Sequence, residues 1–223
     1  DDIPALSIDT QTGEAVTTGG VVNEDALEGG SEDESLGNDD DPQTKLITGD
    51  SAVGNAKSLS DLVEVGADES AMFGFAASGA GQSETAQVEA ALGRLTSGGE
   101  GLSYEIDRTV EGKETLIAKA STEAYEREVF RVEIDKASGN WTFELNDQLD
   151  HVMVEGADGD MATQLRNFTG YDTEGNPVYD DANPIESLDF TGLIDVTDFD
   201  GDTVNLGVLA GEGVSLFTVT VEN

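Results

Sequence analysis

The 223-residue chain contains no cysteine, so no disulfide can staple it. It is also poor in cations, with 10 Lys and Arg against 48 Asp and Glu and a formal net charge of −38. Phosphate binding needs clustered Lys and Arg, so nucleic acid is excluded as a partner. An anionic membrane surface is excluded on the same ground. No window approaches 18 consecutive apolar residues, so no membrane-inserting helix is expected. His151 is the single histidine. Zinc prefers Cys and His and is therefore disfavoured. A nucleophile–His–acid triad would have to use His151. Its neighbour Asp150 is no relay, because adjacent residues on a strand point to opposite faces. No G-x-S-x-G elbow surrounds a serine. His151 reads as a hydrogen-bonded structural residue at a strand end, and the chain as non-enzymatic. A carboxylate-based hydrolase is the least favoured alternative.

Apolar residues make up 37% of the chain and are patterned. Residues 1–20 read as a linker or the end of a preceding module, and 21–223 as one domain. The opening "DDIPALSIDT" has no initiator Met and no basic or apolar signal region, as expected of a piece of a longer chain. The acidic, glycine-punctuated run "GGSEDESLGNDDDP" reads as a loop. In "VFRVEID", Phe130, Val132 and Ile134 alternate with polar residues. In "WTFEL", Trp141, Phe143 and Leu145 do the same, and "KASGN" between them is a turn. This period of two predicts an antiparallel hairpin over a core, with Trp141 as an anchor. "LSYEIDRTV" and "ETLIAKA" predict a second hairpin around Glu111-Gly112. "SETAQVEAALGRL" predicts a short helix capped by Ser83, with Val88, Ala91, Leu92 and Leu95 on one face. Many short strands between Gly-rich turns indicate an all-β, antiparallel β-sandwich with one short decorating helix and long acidic loops.

The stretch "DVTDFDGDTVNL" crowds Asp195, Asp198, Asp200 and Asp202 into eight residues, just before a run that alternates like a strand. Bare carboxylates so close repel, so a cation is the simplest relief. Calcium accepts six to eight oxygens in irregular geometry. The loop is no EF-hand, because Thr203 stands where the loop glycine belongs and Leu209 where the bidentate Glu belongs. Further acidic candidates for metal are Glu24, Asp25, Asp68, Asp158 and Asp160. The segment between Arg166 and Glu186 is a long loop carrying Phe168, Tyr171 and Tyr179 beside Asp172, Glu174, Asp180 and Asp181. Exposed aromatics with acidic neighbours suit a recognition surface, so Phe168, Tyr171, Asp172, Tyr179, Asp180 and Asp181 are candidate ligand contacts. The competing reading is a surface loop whose aromatics pack back on the sandwich.

The landmarks "VVNEDALEGG", "VEVGADES", "LTSGGEGLSYEI", "FRVEIDKASGNWTFELNDQLDH" and "LIDVTDFDGDTV" occur in that order. In this order they resemble the large repeat domain of giant bacterial adhesins exported by type I secretion, the RTX adhesins, over about residues 21–223. The resemblance implies an extracellular, cell-surface, calcium-stiffened β-sandwich with flanking domains of the same adhesin on both sides. It implies a calcium-dependent adhesion module recognising a peptide or protein on a host or neighbouring cell, or less favourably a glycan. The alternative it carries is a calcium-rigidified spacer.

Overall fold

The computed structural model describes residues 4–27, 44–50, 52, 56–66, 70–122, 124–155 and 161–223. The expected acidic loop at 29–42 lies outside them. The chain opens with β1 (Ala5–Leu6), β2 (Thr18–Asn23), β3 (Leu46–Gly49), β4 (Val63–Glu64) and β5 (Met72–Phe75). Helix α1 (Glu84–Leu92) follows, then β6 (Thr96–Ser97), β7 (Glu100–Asp107), β8 (Lys113–Ser121), β9 (Glu126–Asp135) and β10 (Trp141–Leu145). The last part holds β11 (His151–Glu155), β12 (Met161–Leu165), β13 (Phe168–Tyr171), β14 (Pro177–Tyr179), β15 (Leu188–Asp189), β16 (Ile194–Thr197) and β17 (Thr203–Asn205). Helix α2 (Leu206–Ala210) and β18 (Phe217–Glu222) close it.

The molecule is all-β in character, with one six-stranded antiparallel sheet in the order β3-β10-β9-β8-β7-β6. Both hairpins read from the sequence are its centre. In β9 and β10 the apolar positions Phe130, Val132, Ile134, Trp141, Phe143 and Leu145 are all buried. Trp141 lies opposite Ile134 on one side and Gly49 on the other. A second layer, ordered β15-β18-β2, covers that face. The contact is aromatic: Trp141 meets Phe217 with ring centroids 4.5 Å apart, and Phe143 meets Phe190 at 6.2 Å. The indole Nε1 of Trp141 donates to the Lys57 carbonyl at 3.0 Å, which satisfies its one polar atom.

Helix α1 starts where the cap residue predicts. The Ser83 hydroxyl accepts from the Ala86 amide at 3.1 Å. It stops earlier than the apolar spacing predicts, because Gly93 takes φ +81°. Leu95 is buried, but beyond the helix end.

Three expectations are corrected. Helix α2 is a second helix, formed in the run that reads as a strand. Strand β17 stops at Asn205, whose side-chain oxygen accepts from the Gly207 amide at 2.9 Å and so caps a helix instead. The segment read as a linker is built in: β1 pairs with β4, Ile8 bridges Ala15, and β2 begins at Thr18. The sandwich is also not purely antiparallel, since β2 pairs in parallel with β18, Thr18 opposite Phe217 through Asn23 opposite Glu222.

Candidate metal centre

The aspartate cluster sits at the tip of the β16–β17 hairpin. Asp195, Val196 and Thr197 pair with Asn205, Val204 and Thr203. Buried Ile194 and Val196 root the hairpin in the core. The Thr197 and Thr203 hydroxyls meet at 2.8 Å across its neck. Five residues, 198–202, form the tip, closed by the Asp198 amide donating to the Asp202 carbonyl at 3.0 Å. Gly201 takes φ +101°, a backbone state that side chains resist. That turn aims two amides inward: Gly201 and Asp202 donate to Asp198 Oδ1 at 3.0 and 2.8 Å.

Asp198 is thereby turned into its own loop and is 5% exposed. Its other carboxylate oxygen, Oδ2, is buried and accepts no hydrogen bond. The loop's cover pushes the Asp198 carboxyl up. The Asp200 side chain and the amides of Asp202, Gly201 and Asp200 pull it further down, so it lies below the usual carboxylate range. The group thus stays ionised while sheltered from water. One carboxylate oxygen from each of Asp198, Asp200 and Asp202 lies within 4.8 Å of the other two. Three carboxylates converging on one point, one of them buried with an empty lone pair, have the chemistry of a hard-cation site.

All eight basic residues from Arg94 to Arg166 are in ion pairs with acids. From Asn167 to Asn223 there are twelve acids and no Lys or Arg. Calcium fits the donor set. Three aspartates could supply three to six of the six to eight oxygens it takes, with backbone carbonyls or water for the rest.

The other sequence candidates separate. Asp195 lies outside the cluster, with its Oδ1 accepting from the Asn205 amide group at 2.9 Å. Glu24 and Asp25 begin a 3-10 turn, Glu24–Ala26, and belong to no such group of three acids among the described residues. Glu24 instead faces the chain's one histidine. Asp68, Asp158 and Asp160 lie outside the described residues.

The Arg166–Glu186 segment is a correction. It is not a free loop but contains the β13–β14 hairpin, with Phe168 opposite Tyr179. Phe168, expected to be exposed, is buried at 3%. It packs edge-on against Tyr171 and Tyr179 under the Arg94 guanidinium. The Tyr171 hydroxyl accepts from the Gly101 amide at 2.8 Å, although half of that side chain stays exposed. Arg166 covers the Tyr179 ring at 3.7 Å and forks onto both oxygens of Asp181 at 2.9 and 2.6 Å. Asp172 and Asp180 accept from Asn176 and Asn183 in their own turns. The six candidate ligand contacts therefore hold the hairpin together.

The anchor that sequence reading overlooked is Asp150. Its carboxylate accepts from the Thr96 hydroxyl at 2.5 Å, the Tyr179 hydroxyl at 3.0 Å, and the amides of Gly98 and Gly99 at 3.0 and 2.8 Å. Asp150→Ala removes this hub. The expected cost is about 2 kcal/mol, from charge-assisted bonds lost in a half-buried place. Amide exchange at Phe168 and Asp180 should accelerate before the rest of the sandwich opens. Unchanged exchange there would show that the hairpin is held by its rings alone.

No family model, no curated protein and no solved structure matches this chain.

Proposed function

We propose that this chain is a non-catalytic module of an extracellular adhesin exported by type I secretion, in which calcium stiffens a β-sandwich that sits in series with flanking domains. The observation that carries the reading is the Asp198–Asp202 tip, where three carboxylates converge and one buried oxygen lacks a partner. The parallel β2–β18 pair supports a place in series. Because this pair is parallel over six residues, the start of β2 and the end of β18 lie at opposite ends of the second layer, about 20 Å apart. Tension on such a pair shears its hydrogen bonds together rather than peeling them singly. The sequence landmarks quoted above support the adhesin assignment. Between the two roles that the resemblance allows, the spacer fits the geometry better, because Phe168 is buried, Tyr179 is covered by Arg166 and the Tyr171 hydroxyl is tied to the Gly101 amide.

A second reading rests on Phe199. It lies between the metal-facing aspartates and is 77% exposed. An ion held by Asp200 and Asp202 on the open side of the tip, beside an exposed ring, suits a peptide bearing a carboxylate and an apolar side chain. Peptide and glycan arrays, probed in calcium and in EDTA, separate the two. The spacer gives no selective binding in either condition, while single-molecule unfolding force rises in calcium. Selective peptide hits that vanish in EDTA and with Phe199→Ser replace the spacer by a binder. Turnover of glycosides or esters would remove both.

A further inference from the structure

Far along the chain from the aspartate tip, Glu24 and His151 meet inside the protein. They come from three segments that sequence separates widely. Glu24 follows β2, His151 begins β11 after the β10–β11 connection, and β18 runs alongside. The His151 ring is 4% exposed and the Glu24 carboxylate 0%, with Nδ1 3.7 Å from Oε1. Glu24 Oε1 accepts from the Leu149 amide at 2.6 Å, and its Oε2 has no hydrogen-bond partner. The imidazole has a carbonyl oxygen at each nitrogen: Leu149 at 3.0 Å from Nδ1 and Val221 at 3.2 Å from Nε2.

A carbonyl oxygen only accepts. A neutral imidazole has one N–H, so one of its two contacts would set a ring lone pair against a carbonyl lone pair. Only the imidazolium donates to both. A buried imidazolium needs an anion, and Glu24 is the carboxylate that faces it. The reverse arrangement, a protonated Glu24 beside a neutral ring, leaves either the carboxyl proton without an acceptor on Oε2 or the Leu149 amide without one on Oε1. We propose that Glu24 and His151 form a buried carboxylate–imidazolium pair that holds one proton and latches the end of β18 to the end of β2 and to the β10–β11 connection.

The other acids near the pair are Asp25 on the same turn and Asp147 and Asp150 on the connection. Asp147 is paired with Arg127, and Asp150 is the hub for Thr96 and Tyr179. The surroundings are thus anionic and favour the extra proton. Burial pushes the Glu24 carboxyl up to about 8 and the His151 ring down, while the Val221 and Leu149 carbonyls push the ring back up. Each burial effect is the cost of leaving one charge of the pair alone. Losing the proton would leave a buried carboxylate beside a neutral ring, so the folded pair gives it up at higher pH than the unfolded histidine does.

The linkage has a definite sign. In the unfolded chain Glu titrates near ~4.3 and His near ~6.5. Between those values both states hold one proton, and stability does not depend on pH through this pair. Above ~6.5 the unfolded chain loses its proton and the folded pair does not. The folding constant then falls by up to about tenfold per pH unit, until the pair itself gives up the proton and the latch opens. Below ~4.3 the unfolded chain takes a second proton, and stability falls again.

With a single histidine in the chain, the test needs no assignment. A long-range ¹H–¹⁵N correlation spectrum of the ring at pH 7 should show both nitrogens protonated, in calcium and in EDTA alike. Glu24→Gln should return the ring to one protonated nitrogen at pH 7 and flatten the melting temperature between pH 6.5 and 8 relative to the parent. A neutral ring in the parent at pH 7 overturns the pair, as does a ring signal that changes when calcium is removed. Equal pH slopes in parent and variant overturn it too. Should Glu24→Gln fail to fold, the parent spectrum alone decides. Asp198→Asn leaves the ring signal unchanged, so this proposal and the calcium reading fail separately.

Discussion

In EDTA the protein is expected to melt roughly 5–10 °C lower than in calcium at a hundredfold excess over Kd, from about 2.7 kcal/mol of mass action at a slope of 2–4 °C per kcal/mol. The shift should vanish in Asp198→Asn, and the reason is specific to that side chain. Asp198 Oδ1 is taken by the Gly201 and Asp202 amides, and Oδ2 is buried and unpartnered. An asparagine keeps the size and keeps an acceptor for the two amides. It places a neutral amide group where the free oxygen was, so the loop is still closed but no longer calls for a cation. The metal-free variant should therefore still fold but be somewhat less stable than the metal-free parent, because the neutral amide loses the charge-assisted acceptance that holds the Asp198 carboxyl low, and its response to calcium is lost. Asp172→Asn, in the turn between β13 and β14, should leave the response intact, because Asp172 accepts from the Glu174 and Asn176 amides and lies outside the cluster. Acid should also abolish the shift, since protons and calcium compete for the same oxygens. A parent melt indifferent to EDTA would remove the metal centre outright.

What was legible in the sequence follows the range over which each signal acts. The β9–β10 and β7–β8 hairpins were legible because alternation and a short turn are local, and one buried face fixes register. Helix α1 was legible from its cap and its spacing. The convergence of Asp198, Asp200 and Asp202 was legible because five residues closing a hairpin leave little freedom. Helix α2 was missed because Val204, Leu206 and Val208 alternate like a strand, and a single capping asparagine decides otherwise. Phe168 was misread because burial in the 166–186 segment depends on Asp150 and Arg94, which lie outside it. The parallel β2–β18 pair and the Glu24–His151 contact were invisible. Their partners are separated by most of the chain, and a lone Glu or His carries no pattern.

The second large effect is expected at Trp141. Truncation to alanine should cost about 3–5 kcal/mol, the range for a large aromatic removed from a closed core. The indole stacks between the two layers against Phe217 and has its Nε1 on the Lys57 carbonyl. That carbonyl also accepts from the Thr18 hydroxyl, at the start of the parallel pair. Losing the indole would thus loosen both the layer contact and the anchoring of β2. Gly49 gives the sharper test. It lies opposite Trp141, and a Cβ built on it would come within 1.8 Å of the indole Nε1. Gly49→Ala must push the ring from its place and break the bond to Lys57, at a cost of about 1–3 kcal/mol for overpacking. In the Trp141→Ala background the same methyl enters the space that the indole vacated, where an extended residue also prefers alanine to glycine. The sign should then reverse, so that Gly49→Ala stabilises the truncated protein. Denaturant melts of the four proteins measure the coupling directly. Additive losses would mean that Gly49 is not small for the sake of Trp141, and that the β3–β10 register is fixed by something other than this contact.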